Sequence, residues 1–211
     1  MNGTLVLSSA GTYLIREADP ADADLIADFI SGLSVQAQYF RFFTAVAPPS
    51  RGLVRLLSDS SRADLLVVTD DRGAIVGHGM AVDGQTAPVT STDLGIVIAD
   101  GLQGNGLGTR LLDLLVARAS QRGVTRLDFE VLPDNARMLG IIDRRCPGAS
   151  RKRTADSVSI MADITAWPQP AAGGQPSAAL PPAALPVVTE VRGTRPPGFQ
   201  GAQRESRPHA A

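Results

Sequence analysis

Residues 99–112 read ADGLQGNGLGTRLL, with glycines at 104, 106 and 108 between an apolar run and a leucine-rich run. Backbone without side chains at the start of a helix offers its N–H groups to an anion, so this spacing points to a phosphate. A tight turn would need only one glycine. Two common nucleotide loops do not fit. A Walker loop ends in Gly-Lys-Ser/Thr, and the one lysine of this chain is Lys152. A dinucleotide fingerprint needs Gly-x-Gly-x-x-Gly near the start of a βαβ unit. Here the third glycine comes one residue early, the motif follows three expected strands, and Asp128, in the ribose window, falls inside a strand. Other reactive side chains are sparse. Cys146 has no histidine partner nearby in sequence and reads as a thiol without a role. With only His78 and His209, no metal site is expected, and His78, mid-strand between two glycines, reads as a satisfied sheet histidine.

The elements that must position the glycine loop alternate along the chain. TYLIREA (12–18) predicts a strand. DPADADLIADFISGL opens on an Asp-Pro start signal and carries Leu25, Ile26, Phe29, Ile30 and Leu33 at helical spacing. SVQAQYFRFF (34–43) predicts a second helix and PPSRGLVRLLSD a third. DLLVVTD and AIVGHGMAV flank the turn residues DDRG and predict an antiparallel hairpin. STDLGIVIA predicts the strand that feeds the glycine loop, and a helix follows over about 107–122 until Gly123 stops it. TRLDFEVL, DNARMLGIIDRR and SVSIMADI predict a strand, a helix and a last strand. The sum is an α+β fold, a mostly antiparallel sheet with one parallel crossover.

At 211 residues the chain suits one domain with an appendage. We expect a lead-in at 1–11, the domain at 12–165, and a disordered Pro/Ala-rich tail at 166–211. Nine of the fifteen prolines lie in that tail, and proline removes the donors that a ladder or a packed helix needs. The formal charge of −1 gives no electrostatic case for nucleic acid. The start MNGTLVLSSAGTYL lacks a signal-peptide pattern, no run approaches bilayer-spanning length, and one cysteine fits a reducing compartment. A cytoplasmic protein with no membrane partner is expected.

QGNGLG after an apolar strand resembles the pyrophosphate loop of acyl-CoA N-acyltransferases, in its variant Gln-Gly-x-Gly-Leu-Gly. With the order of elements and the asparagine of LPDNARML, positions 12–164 resemble a GNAT-family N-acetyltransferase domain. That resemblance implies a mixed, mostly antiparallel sheet flanked by helices, with parallel strands splayed at an acyl-CoA cleft. It implies acetyl-CoA as co-substrate and no metal. The amides of Gln103, Gly104, Asn105, Gly106, Leu107, Gly108 and Thr109 would converge on the pyrophosphate. The backbones of Ile96, Val97 and Ile98 would meet pantetheine, one N–H polarising the thioester carbonyl. Asn135 falls where the family places an asparagine near the pantetheine arm, and a helix cap is the other reading.

The family's usual glutamate base lies ten positions before Gln103, where this chain has Asp93. Aspartate is one methylene shorter, which implies a water relay; a solvated aspartate at a strand start is the alternative. ARMLGIIDRRCPGA has no tyrosine of the kind some relatives use to protonate the departing thiolate. LSVQAQYFRFF resembles a helix in the catalytic domains of bacterial Pat-type protein lysine acetyltransferases, implying that Tyr39, Arg41 and Phe42 contact the acceptor. Packing of Tyr39, Phe40 and Phe43 is the competing account. No second, regulatory domain is expected in a chain of this length. The implied function is acetyl transfer to a primary amine, a protein lysine, with Asp93 as general base. A small-molecule amine acceptor and a non-catalytic acyl-CoA sensor are the alternatives; oligomeric state is left open.

Overall fold

The computed structural model describes residues 3–8, 11–60, 63–84 and 90–168, all within one structural unit spanning 1–176. In chain order the elements are β1 (Gly3–Ser8), β2 (Gly11–Glu17), α1 (Ala23–Ser31), α2 (Val35–Phe42), α3 (Arg51–Ser58), β3 (Asp64–Thr69), β4 (Ile75–Asp83) and β5 (Ser91–Ile98). Then come α4 (Leu107–Gln121), β6 (Arg126–Val131), α5 (Ala136–Arg145), β7 (Ser150–Arg153) and β8 (Val158–Asp163). The strands form one sheet in the order β1-β2-β3-β4-β5-β6-β8-β7. Among the described residues β5 and β6 form its one parallel pair, and every other pairing is antiparallel.

Period-two patterning sorts the side chains onto two faces. Leu66, Val68, Leu94 and Ile98 join Leu111, Leu115 and Val116 of α4 and Ile142 of α5 in one core. Leu65, Val67 and Val97 join Ile26, Phe29, Ile30 and Leu57 of the first three helices in the other. The β3–β4 hairpin turns as its Asp-Asp-Arg-Gly sequence predicts. Asp70 Oδ1 accepts from the Arg72 and Ala74 amides, and Gly73 takes the left-handed φ of 81° that the turn requires.

Two boundaries differ from the sequence reading. Residues 3–8, expected as a lead-in, form β1, which pairs with β2 from Gly3↔Arg16 to Ser8↔Gly11. At the other end, Trp167 lies inside the expected tail yet is buried in the core. It stacks on Phe129 with ring centroids 6.1 Å apart, and its Nε1–H donates to Asp113 Oδ1 at 2.9 Å. A large ring with a satisfied polar edge holds this segment, whatever the proline content beyond it. The rest of the expected tail, 169–211, lies outside the described residues. The second edge strand, β7, escaped the sequence reading because SRKR is wholly polar and exposed, a composition typical of a protected sheet edge.

Candidate active site

The parallel pairing of β5 with β6 ends early. It runs Ser91↔Arg126, Thr92↔Leu127 and Asp93↔Asp128, while β5 continues to Ile98 and β6 to Val131. Beyond Asp93 the strands part, so the inner edge of Leu94–Ile98 is not paired to β6. A cleft of about 1110 Å³ opens there, lined by Ile96, Val97 and Ile98, by Gln103, Gly104, Gly106, Gly108 and Thr109 of the glycine loop, and by Asn135 and Arg137 beyond β6. The sequence reading anticipated this splay, and the register places it.

At the mouth, the three glycines serve two different needs. Gly104 and Gly106 have φ of 85° and 84°, where an L side chain is strained. Gly108 is held by contact instead: a Cβ there would sit 3.2 Å from Ile96 Cδ1, so its lack of a side chain lets α4 close on β5. The first ladder bond of α4 runs from the Arg110 N–H to Gly106 O. The amides of Leu107, Gly108 and Thr109 therefore precede the ladder and stand at the positive end of a fifteen-residue helix. This is an anion cradle.

Not every residue expected at the loop faces the cleft with its side chain. Leu107 is buried in the core beneath the loop. The Asn105 amide donates back to Leu102 O at 3.4 Å. Gln103 buttresses the turn: its Nε2 donates to Ile98 O at 2.9 Å, and its Oε1 accepts from Arg137 of α5. The loop, β5 and α5 are thus tied across the cleft. Asn135 caps α5, its Oδ1 accepting from the Met138 N–H at 3.1 Å, while still lining the cavity. Arg137 was not singled out in the sequence. An exposed arginine at the second position of an amphipathic helix carries no pattern that marks it.

On the sheet face under α1–α3, Asp93 opens into the cleft. Because it pairs in register with Asp128, the two carboxylates share a face, with Glu130 two residues further along β6. Arg126 takes Asp128 in a two-pronged ion pair, at 2.9 Å from Nε and 3.1 Å from Nη2. Partial burial, then the charge of Asp128, pushes the Asp93 carboxyl above its ordinary range; Arg126 opposes this and Glu130 adds to it. The sequence reading proposed Asp93 but missed Asp128 and Glu130, whose relation to it exists only through strand register.

Helix α2 forms the opposite wall. Ser34 caps it, accepting from the Ala37 N–H, and donates its own Oγ–H to Asp100 Oδ1 at 2.6 Å. Its amide also donates to Asp100 Oδ2, which pins the start of α2 to the end of β5. Buried Gln38 fixes the far end, donating to Ile30 O and Leu33 O and accepting from the Val46 N–H. Arg41 and Phe42 line the cavity. Tyr39 does not: it lies off the lining and is 48% exposed. Each residue turns a helix by 100°, so the face carrying Ala37, Phe40 and Arg41 leaves Tyr39 aimed elsewhere.

Below the same wall, His78 is buried and shares a 2.9 Å hydrogen bond with Leu57 O. Burial first, and then the positive charge of Arg41, lowers its pKa from 6.5 to about 4, against the pull of that hydrogen bond. The unfolded chain binds this proton below pH 6.5 and the folded chain only below about 4. Stability held by the neutral ring is complete above pH 6.5 and drains as pH falls to 4, by about 3 kcal/mol. Urea unfolding between pH 7 and 4 should show that loss in wild type and much less of it in His78→Gln.

Among the described residues no group of three or more His, Cys, Asp or Glu side chains is placed to hold a metal, and no helix is long and apolar enough to cross a membrane.

A sheet opened between two parallel strands, with a glycine anion cradle at its mouth, has the form that the sequence resemblance implies for an acyl-CoA cleft. Residues 34–146 match the model of the acetyltransferase (GNAT) family, and this chain belongs to that family. Acetyltransferase Pat of Mycolicibacterium smegmatis is 29% identical over 136 residues, covering 63% of this chain and 40% of that protein. L-2,4-diaminobutyric acid acetyltransferase of Chromohalobacter salexigens is 29% identical over 89 residues, 42% of this chain and 46% of that one. The chain thus spans under half the length of these curated relatives. The crystal structure of the GNAT domain of S. lividans PAT superposes with a TM-score of 0.69 at 25% identity, covering 76% of this chain and 96% of that one. Enzymes of the GNAT family use acetyl-CoA as co-substrate.

Proposed function

We propose that this chain moves the acetyl group of acetyl-CoA to a primary amine by direct attack, with Asp93 as general base. One observation carries the reading: the anion cradle, the splayed edge of β5 and the Asp93 carboxylate converge on a single cleft. The amides of 103–109 would hold the pyrophosphate, and the backbone of Ile96–Ile98 together with Asn135 would flank the pantetheine arm. Acetyl-CoA supplies an activated acyl carbon. The chain supplies position, a backbone N–H at the opened edge to draw on the carbonyl oxygen, and a carboxylate to take the ammonium proton. Asp93 is short, and the cleft is open to water, so a bridging water completes the relay. The lone cysteine among 211 residues supports a reducing, cytoplasmic setting.

The likeness to Pat supports lysine as acceptor. A second reading, a small amine that carries its own anion, is favoured by the unpaired Arg41 in the acceptor wall and fits the family presence of an enzyme acting on a diamino acid. The deciding experiment incubates the protein with acetyl-CoA and either lysine peptides or small amines, following free thiol release and product mass. Acetylated amine supports transfer. Tight acetyl-CoA binding with no turnover on any acceptor sinks it in favour of a sensor.

A further inference from the structure

Arg41 is a cation without a counter-ion. Its Nε is shut away from water and meets no acceptor. Nη2 reaches only the Met80 sulfur, at 3.6 Å, and the guanidinium carbon stands 5.1 Å from the Phe42 ring centroid. A thioether is a weak acceptor and a ring is no substitute for a carboxylate. Among the described residues no Asp or Glu lies within ion-pair distance of it. Burial alone pulls the guanidinium down to about 10, so it stays charged at neutral pH. Arginine is seldom withdrawn from water unless paired.

The fold makes room for this cation deliberately. A Cβ at Gly95 would sit 2.8 Å from Arg41 Nη1, so a side chain at this β5 position would push the guanidinium from its place over the strand. The anchoring of Ser34 on Asp100 and of Gln38 on Leu33 and Val46 holds α2 in that pose. Gly95 and Asp93 are two residues apart on one strand face, about 7 Å by strand rise. The acceptor wall therefore presents a carboxylate and, one side-chain spacing away, an unmatched guanidinium.

We propose that Arg41 is the anion receptor of the acceptor pocket, and that the acceptor is a small amino acid whose carboxylate pairs with Arg41 while its amine meets Asp93. This rests on the acetyl-transfer reading above and takes the second of its two acceptors. The planar fork of arginine suits a carboxylate in two-pronged contact, which a lysine side chain of a protein does not bring. Gly95 and Arg41 act together as a specificity device: one leaves the slot, the other fills it.

The test compares wild type, Arg41→Gln and Arg41→Met. The acceptors are L-2,4-diaminobutyrate, ornithine and lysine; the same amines lacking the carboxylate (1,3-diaminopropane, putrescine, cadaverine); and a lysine peptide blocked at both ends. In wild type, kcat/KM for at least one amino acid should exceed that of its decarboxylated partner by about 100-fold, a charge-assisted pair's worth. Arg41→Gln should erase that ratio, raising KM for the amino acids far more than for the diamines. Because the cation is uncompensated in the free protein, Arg41→Met should melt no lower than wild type, and added amino acid should raise the wild-type Tm alone. A wild type that takes diamines or the blocked peptide as well as the amino acids overturns the proposal, as does a Tm lowered in Arg41→Met with acceptor preference intact. If no acceptor is turned over, transfer fails as a reading. Calorimetry of the amino acids on CoA-loaded protein then decides the receptor separately: heat lost in Arg41→Gln upholds it, and no heat in wild type overturns it.

Discussion

Asp93→Asn is expected to lower kcat by about 10³ while leaving acetyl-CoA affinity within twofold of wild type. An alkylamine with a pKa near 10.4 is about 10³-fold more protonated than free at neutral pH. A positioned base that removes the proton contributes 10²- to 10⁴-fold. Asparagine keeps the shape, and nothing in the glycine cradle touches it. The pH profiles should also part. In wild type the rate rises as Asp93 loses its proton, at a pH above the ordinary carboxylate range because burial and Asp128 favour the protonated form. It then levels. In Asp93→Asn the rate should climb steadily with pH, tracking the free amine alone. Stopped-time assays of thiol release from pH 5 to 10 check both. Equal kcat in the two proteins would clear Asp93 of the role and turn attention to Glu130, on the same face of β6.

Gly104→Val/Gly106→Val is expected to weaken CoA binding by about 10³. A left-handed residue that is not glycine costs roughly 1–2 kcal/mol each, and more when β-branched. The loop relieves that strain by rotating its amides away from the cleft, or keeps its shape and places side chains where the phosphates belong. No packing resists the new atoms, since a Cβ at either position would meet nothing within 4 Å. The fold should therefore survive, with α4 still buried through Leu111, Leu112 and Leu115. Circular dichroism and Tm separate loss of binding from loss of structure.

How far the sequence foretold this molecule depends on whether a feature is local. The glycine cradle was legible because its spacing is a backbone property, written in six consecutive residues. The hairpin around Asp70–Gly73 was legible for the same reason. The helices α1 and α4 announced themselves through period and caps. What stayed hidden is relational. Asp128 and Glu130 look like ordinary polar positions on an alternating strand until the register sets Asp128 against Asp93. Arg41 was singled out by resemblance, but its want of a partner depends on Gly95, fifty-four residues away. Tyr39 was grouped with it by the same resemblance, and at 100° per residue two positions along a helix point to different walls. At the ends, β1 buries only Val6 and so shows little apolar pattern, and Trp167 was masked by the prolines that follow it.

Acetyl-CoA binding in this cleft requires the grip of main-chain amides on a diphosphate. Titration calorimetry of the whole chain with CoA tests it most directly. One saturable site in wild type, unaffected by Asp93→Asn and about 10³-fold weaker in Gly104→Val/Gly106→Val, is the predicted result. Absence of binding in wild type, or equal affinity in the valine variant, would contradict it.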